Sequence, residues 1–222
     1  MSHIDDMMTK NERVKRLCYE ICLFLFILFV SRKLNQVAFI LVFHRVELYT
    51  LLIMIQWIIP VTVFILLKRE GERIADIGFV KGGYIKQAIV GLLVGAFSIS
   101  ILSIIPDLIF GRPVIREEIQ INIGGIIYYI IGVAAAEEIL FRGYILKKLE
   151  YINKSKVFCA VISSAVFGLF HIFNKNLYQM ISAAFFGMIV CAFRQNVKWC
   201  TLLSLIIAHG VHGVWGIHFT SF

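Results

Sequence analysis

Glu137 and Glu138 stand side by side in an otherwise apolar run, IIGVAAAEEILFRGYILKK, with Arg142 four residues beyond Glu138. Carrying one such charge to the centre of a bilayer costs about 2.5–3.5 kcal/mol on insertion scales. Two adjacent carboxylates are worse, since each disfavours ionisation of the other. At a spacing of four, Glu138 and Arg142 share a helix face and can pair. Glu137, about 100° round the helix, is left without a local partner. A carboxylate in apolar surroundings can serve as a general base near neutral pH. Two further runs carry imidazoles, FGLFH ending at His171 and HGVHG from His209 to Gly213. If the three runs converge on one cavity, they supply what amide hydrolysis needs. Glu137 takes a proton from water, one His positions that water or protonates the leaving amine, and another stabilises the oxyanion.

A bland reading competes with this one. Glu137, Glu138 and Arg142 could form an ion cluster that only locks helices together, but that leaves the second acid unexplained. A single intramembrane His is often a hydrogen-bonded packing residue, and two on separate spans beside a Glu pair shift the balance toward chemistry. His3, His44 and His218 lie near ends or in loops and are given no role.

The elements that must position these groups are membrane helices. The chain has 222 residues, 59% of them hydrophobic and 16% charged, with a mean hydropathy of +0.85. Soluble domains run about 45–50% apolar and about 25% charged, and a chain this size cannot bury such an excess in its own interior. The expected fold class is all-α, a polytopic transmembrane helical bundle of about seven helices (six to eight). The spans fall near Leu17–Val30, Leu48–Leu67, Ala88–Ile105, Gly124–Leu146, Val157–Phe173, Leu177–Phe193 and Trp199–Ile217. Asn35–Val46, apolar but carrying His44 and Arg45, is ambiguous. The chain reads as one integral membrane domain, 1–222, with the chemistry-bearing helices in 124–217.

The net charge of +8 does not point to nucleic acid, because the basic residues cluster between apolar runs as topology signals do. With the N-terminus cytoplasmic, Lys10, Arg13, Lys15, Arg16, Lys68, Arg69, Arg73, Lys81, Lys86, Lys147, Lys148, Lys154, Lys156, Arg194 and Lys198 fall inside. Arg32, Lys33, Arg45, Arg112, Arg116 and Lys175 fall outside, a bias of 15 to 6. The five cysteines show neither CxxC pairs nor zinc-finger spacing. Gly91 and Gly95 form a GxxxG, a close-packing signal between helices in lipid. The glycines around His209 and His212 are expected to thin their helix and leave room for a peptide.

At these residues the sequence resembles the CAAX protease and bacteriocin-processing family, the CPBP or Abi intramembrane proteases. Glu137-Glu138-Ile-Leu-Phe-Arg142 matches an EExxxR motif, Phe167-Gly-Leu-Phe-His171 an FxxxH motif, and His209 a late histidine often written HxxxN. The likeness covers roughly Gly124–Ile217, and Arg73–Phe79 is similar to a segment that often precedes that core. It implies a CAAX-protease-like core and a glutamate-dependent intramembrane endopeptidase. Glu137 and His171 would activate water, Glu138 and Arg142 would support the site, and His209 would hold the oxyanion. Zinc on Glu137, His171 and His209 and a metal-free mechanism both stand open. Four residues after His209 stands Gly213 where the family often has Asn, with His212 as a substitute donor.

The resemblance further implies a peptide or protein substrate arriving from the membrane or the cytoplasmic side, in a bacterial cell membrane, for bacteriocin or signal-peptide maturation or for self-immunity of a producing cell. Two other classes remain. One is a non-catalytic immunity or scaffold protein that keeps the motif. The other is a proton-coupled transporter, since buried Glu and His also mark ion paths, although no inverted repeat is visible.

Overall fold

The computed structural model describes residues 8–42, 45–114, 122–174 and 176–218. Every regular element among them is helical, and seven helices make an all-α bundle. They are α1 Lys10–Leu41, α2 Glu47–Arg69, α3 Tyr84–Ile109 and α4 Ile123–Ile152, then α5 Lys156–Leu169, α6 Leu177–Asn196 and α7 Leu202–His218. Four of them, α2, α3, α4 and α6, are long and apolar enough to cross a membrane, while α5 and α7 are shorter. His3 and His44 lie outside the described residues.

The first helix runs well past the expected Leu17–Val30. No Gly or Pro interrupts residues 10–41, and Arg, Lys, Leu and Gln are good helix formers, so Arg32 and Lys33 do not end it. It starts at a capping box, where the Glu12 backbone N–H donates to Thr9 Oγ1 at 3.3 Å and Thr9 N–H donates to Glu12 Oε2 at 2.7 Å. The Thr9 backbone N–H holds the Glu12 carboxyl below the usual carboxylate range. The ambiguous stretch resolves in part, since 35–41 belongs to α1.

One end of the bundle is tied by charge. Glu70, nearly fully buried just after α2, pairs with Arg16 of α1 and with Lys148 of α4. Lys147 pairs with Glu72 at 2.5 Å. At the same end Gln87 of α3 donates to the carbonyls of Val80 (3.2 Å) and Gly82 (2.6 Å) and accepts from Thr201 Oγ1 at 2.5 Å. That bond holds the start of α7 against α3 and sets the height of His209.

The GxxxG does the packing expected of it. A Cβ on Gly91 would stand 2.6 Å from the Ser204 carbonyl oxygen, and one on Gly95 would stand 3.1 Å from that of Ala208. The α3 and α7 backbones meet here, with no room for a methyl. Gly91→Ala is expected to cost about 1–3 kcal/mol, as overpacking does. Gly216→Ala, which meets nothing within 4 Å, is the control, and thermal unfolding in detergent measures both.

Candidate active site

The central helix α4 is not regular. Tyr128–Ala134 and Ile139–Ile145 are π-helical, and only Ala135–Glu138 between them makes an α-helical turn. Wide turns of this kind recur at functional sites because they re-aim side chains. Here they flank the two carboxylates. Ala134 and Ala136 are fully buried, and these small side chains let neighbouring helices approach the acids.

Glu138 and Arg142 are wholly buried and bonded to each other, Arg142 Nη1 donating to Glu138 Oε1 at 2.9 Å. The same oxygen meets His209 Nδ1 at 2.8 Å. Glu138 Oε1, already accepting from the guanidinium, accepts from His209 Nδ1 as well, and that assigns the tautomer. The lone pair of Nε2 then faces the other acid, Glu137 Oε2, at 3.7 Å. Glu137 keeps 18% of its side chain exposed, yet Oε2 itself is buried without a hydrogen-bond partner. So the acid that looked partnerless along its own helix faces an imidazole supplied by α7.

Aromatic rings wall the cluster. The Arg142 guanidinium lies 4.3 Å over the Phe167 ring, an arrangement that stabilises a buried cation. Phe186 of α6 sits 4.9 Å from the His209 ring and stacks on His212 at 4.7 Å. Gly187 leaves space for the guanidinium, since a Cβ there would lie 3.1 Å from Arg142 Nη2.

His171 is placed differently from the other site residues. Helix α5 ends at Leu169, short of the expected Phe173, and His171 occupies the following turn. Its Nδ1 lies 3.0 Å from the Phe167 carbonyl oxygen and donates to it. The Phe167 ring makes edge contacts with both imidazoles, 5.1 Å from His171 and 5.8 Å from His209. Helix geometry gives the reason. At 1.5 Å per residue, His171 lies about 22 Å along α5 from Lys156, whereas Glu137 is only about 16 Å back along α4 from Lys148. The structure therefore joins Glu137, Glu138, Arg142 and His209, and leaves His171 one ring away.

A zinc site on Glu137, His171 and His209 does not fit this arrangement. Among the described residues no three His, Cys, Asp or Glu side chains are grouped to hold a metal ion. No step is routed through a metal below.

Beside His212 and Gly213 of α7 opens a cavity of about 320 Å³ whose lining also includes Ser103, Tyr129, Gln179 and Ser182. The glycines of α7 do not leave the expected space for a peptide. A Cβ on Gly210 would lie 2.9 Å from Ile130 Cγ1, and one on Gly213 would lie 1.8 Å from Tyr129 Cε1. Side chains of α4 already fill both notches. Tyr129 is a site residue that the motifs do not mark.

The family model described as type II CAAX prenyl endopeptidase Rce1-like matches residues 119–215, the stretch that carries the whole cluster. Over these residues the chain is similar to that family. The likeness supports a CAAX-type intramembrane protease, and four long apolar helices support an integral membrane protein. No curated protein and no solved structure matches the chain.

Proposed function

We propose that the chain hydrolyses a peptide bond with a water activated by Glu137 and held by His209. The observation that carries this reading is the 3.7 Å gap between His209 Nε2 and Glu137 Oε2. It is too long for a direct hydrogen bond, but one water can bond to both atoms. Glu137 takes a proton from that water as its oxygen attacks the scissile carbonyl carbon. The tetrahedral intermediate carries the oxyanion. It collapses as the proton passes from Glu137 to the leaving nitrogen and the C–N bond breaks, giving one carboxylic acid and one amine. Glu138, tied to Arg142, orients His209 so that its Nε2 lone pair can accept from the water. His171 supports the site through Phe167 rather than through the water.

The Rce1-like match supports a lipid-modified C-terminal peptide as the first probe. An internally quenched peptide ending in farnesyl-Cys-aliphatic-aliphatic-Met, in proteoliposomes, tests this reading. Cleavage by the wild-type chain and none by the Glu137→Gln chain is the expected result. Equal cleavage by both removes Glu137 as the base. The compact chain also fits maturation of a bacteriocin or signal peptide, or self-immunity, in a bacterial membrane with its N-terminus cytoplasmic, as the basic-residue bias favours. Since the donor geometry supports no metal, pre-incubation with a zinc chelator is expected to change the initial rate by less than about twofold, as read with the same peptide. An abolished rate restored by zinc would overturn the metal-free reading.

A further inference from the structure

The oxyanion formed in this reaction needs a hydrogen-bond donor aimed at the scissile carbonyl oxygen. The shape of α7 limits where that donor can come from. Residue 213 lies one helical turn beyond His209, on the same face, and there α7 has no side chain. The space is taken by Tyr129 of α4, whose hydroxyl-bearing carbon Cζ lies 2.7 Å from where a Cβ on Gly213 would stand. The phenol end of Tyr129 is thus laid over α7 beside the His209 face. It borders the same cavity as His212 and Gly213. Tyr128, by contrast, turns its hydroxyl to Gln56, accepting from Nε2 at 3.4 Å.

We infer that the Tyr129 hydroxyl is the hydrogen-bond donor to the developing oxyanion, and that Gly213 is glycine so that this ring can reach it. The inference rests on the peptidase reading above and adds a catalytic residue to it. A phenol suits the task, as an O–H donor on a stiff ring wedged between two helices, with its direction set before substrate arrives. His212 is held differently, stacked flat on Phe186, and serves as a wall of the cavity.

The test uses the full chain in proteoliposomes with the farnesylated quenched peptide. Tyr129→Phe keeps the ring and its packing. It is expected to lower kcat by about 10²-fold, the size of effect that follows loss of one oxyanion donor, with KM and the unfolding temperature close to wild type. A structural role alone would not move kcat without moving stability. Gly213→Asn should lose folded protein, because its Cβ collides with the ring. Tyr129→Ala/Gly213→Asn should fold and cleave faster than Tyr129→Ala, the amide entering the vacated space as a replacement donor. Wild-type kcat in Tyr129→Phe, or a double variant no faster than Tyr129→Ala, would overturn the role of Tyr129 while leaving Glu137 in place. A wild-type chain as inactive on the peptide as Glu137→Gln would overturn the peptidase reading together with this one.

Discussion

Substituting Glu137→Gln is expected to lower the cleavage rate by about 10²–10⁴-fold, the range that a positioned general base contributes. The amide matches the carboxylate in shape, so packing between α4 and α7 survives and the unfolding temperature in detergent stays within a degree or two, about the error of the measurement. What disappears is the only function of Oε2 that needs a lone pair able to take a proton. Among the described residues that oxygen is buried with no protein hydrogen-bond partner, so the folded chain gains little from its charge beyond the hold on the water. Stability and rate are therefore expected to separate: rate falls, stability holds or rises. A Glu137→Gln chain that unfolds instead would show that Glu137 belongs to the ion cluster, the bland reading weighed from sequence. The variant distinguishes the two because a structural acid is coupled to stability and a base is coupled to rate.

Much of this arrangement could be read before any coordinates, and the reasons are particular. The seven apolar runs are each bounded by charge or glycine, so the helix count followed from hydropathy. The Glu138–Arg142 pair followed from a spacing of four, and the close approach at Gly91 from the GxxxG. Three features could not be read that way. The extension of α1 to Leu41 depends on the absence of helix breakers, which a hydropathy window does not weigh. The separation of His171 from Glu137 depends on where α5 begins and ends. Tyr129 is hidden by the π turns. On a regular α-helix, residues 129 and 137 are about 80° apart, on different faces. One residue absorbed by a wide turn reduces this to about 20° and brings them to one side. A period of 3.6, the basis of the sequence reading, assigns Tyr129 to the wrong face.

The second large effect belongs to Arg142. Its side chain is fully buried, and the Glu138 oxygen it bonds also holds His209. Arg142→Met leaves an uncompensated carboxylate in the core and is expected to cost about 3–5 kcal/mol of stability, read as a lower unfolding temperature in detergent. Replacing both partners with uncharged residues of similar volume, Glu138→Gln/Arg142→Met, should recover most of that loss, because no charge is then buried alone. Cleavage of the farnesylated peptide should not recover with it. A Gln amide can offer Nδ1 either its oxygen or its NH₂, so the His209 proton is no longer held on Nδ1 and the Nε2 lone pair is no longer fixed toward Glu137. A stable but slow double variant would mark Arg142 as a positioning residue acting through Glu138 and His209. A double variant that regained wild-type cleavage would show the pair to be structural and leave His209 oriented by its Phe167 and Phe186 walls alone.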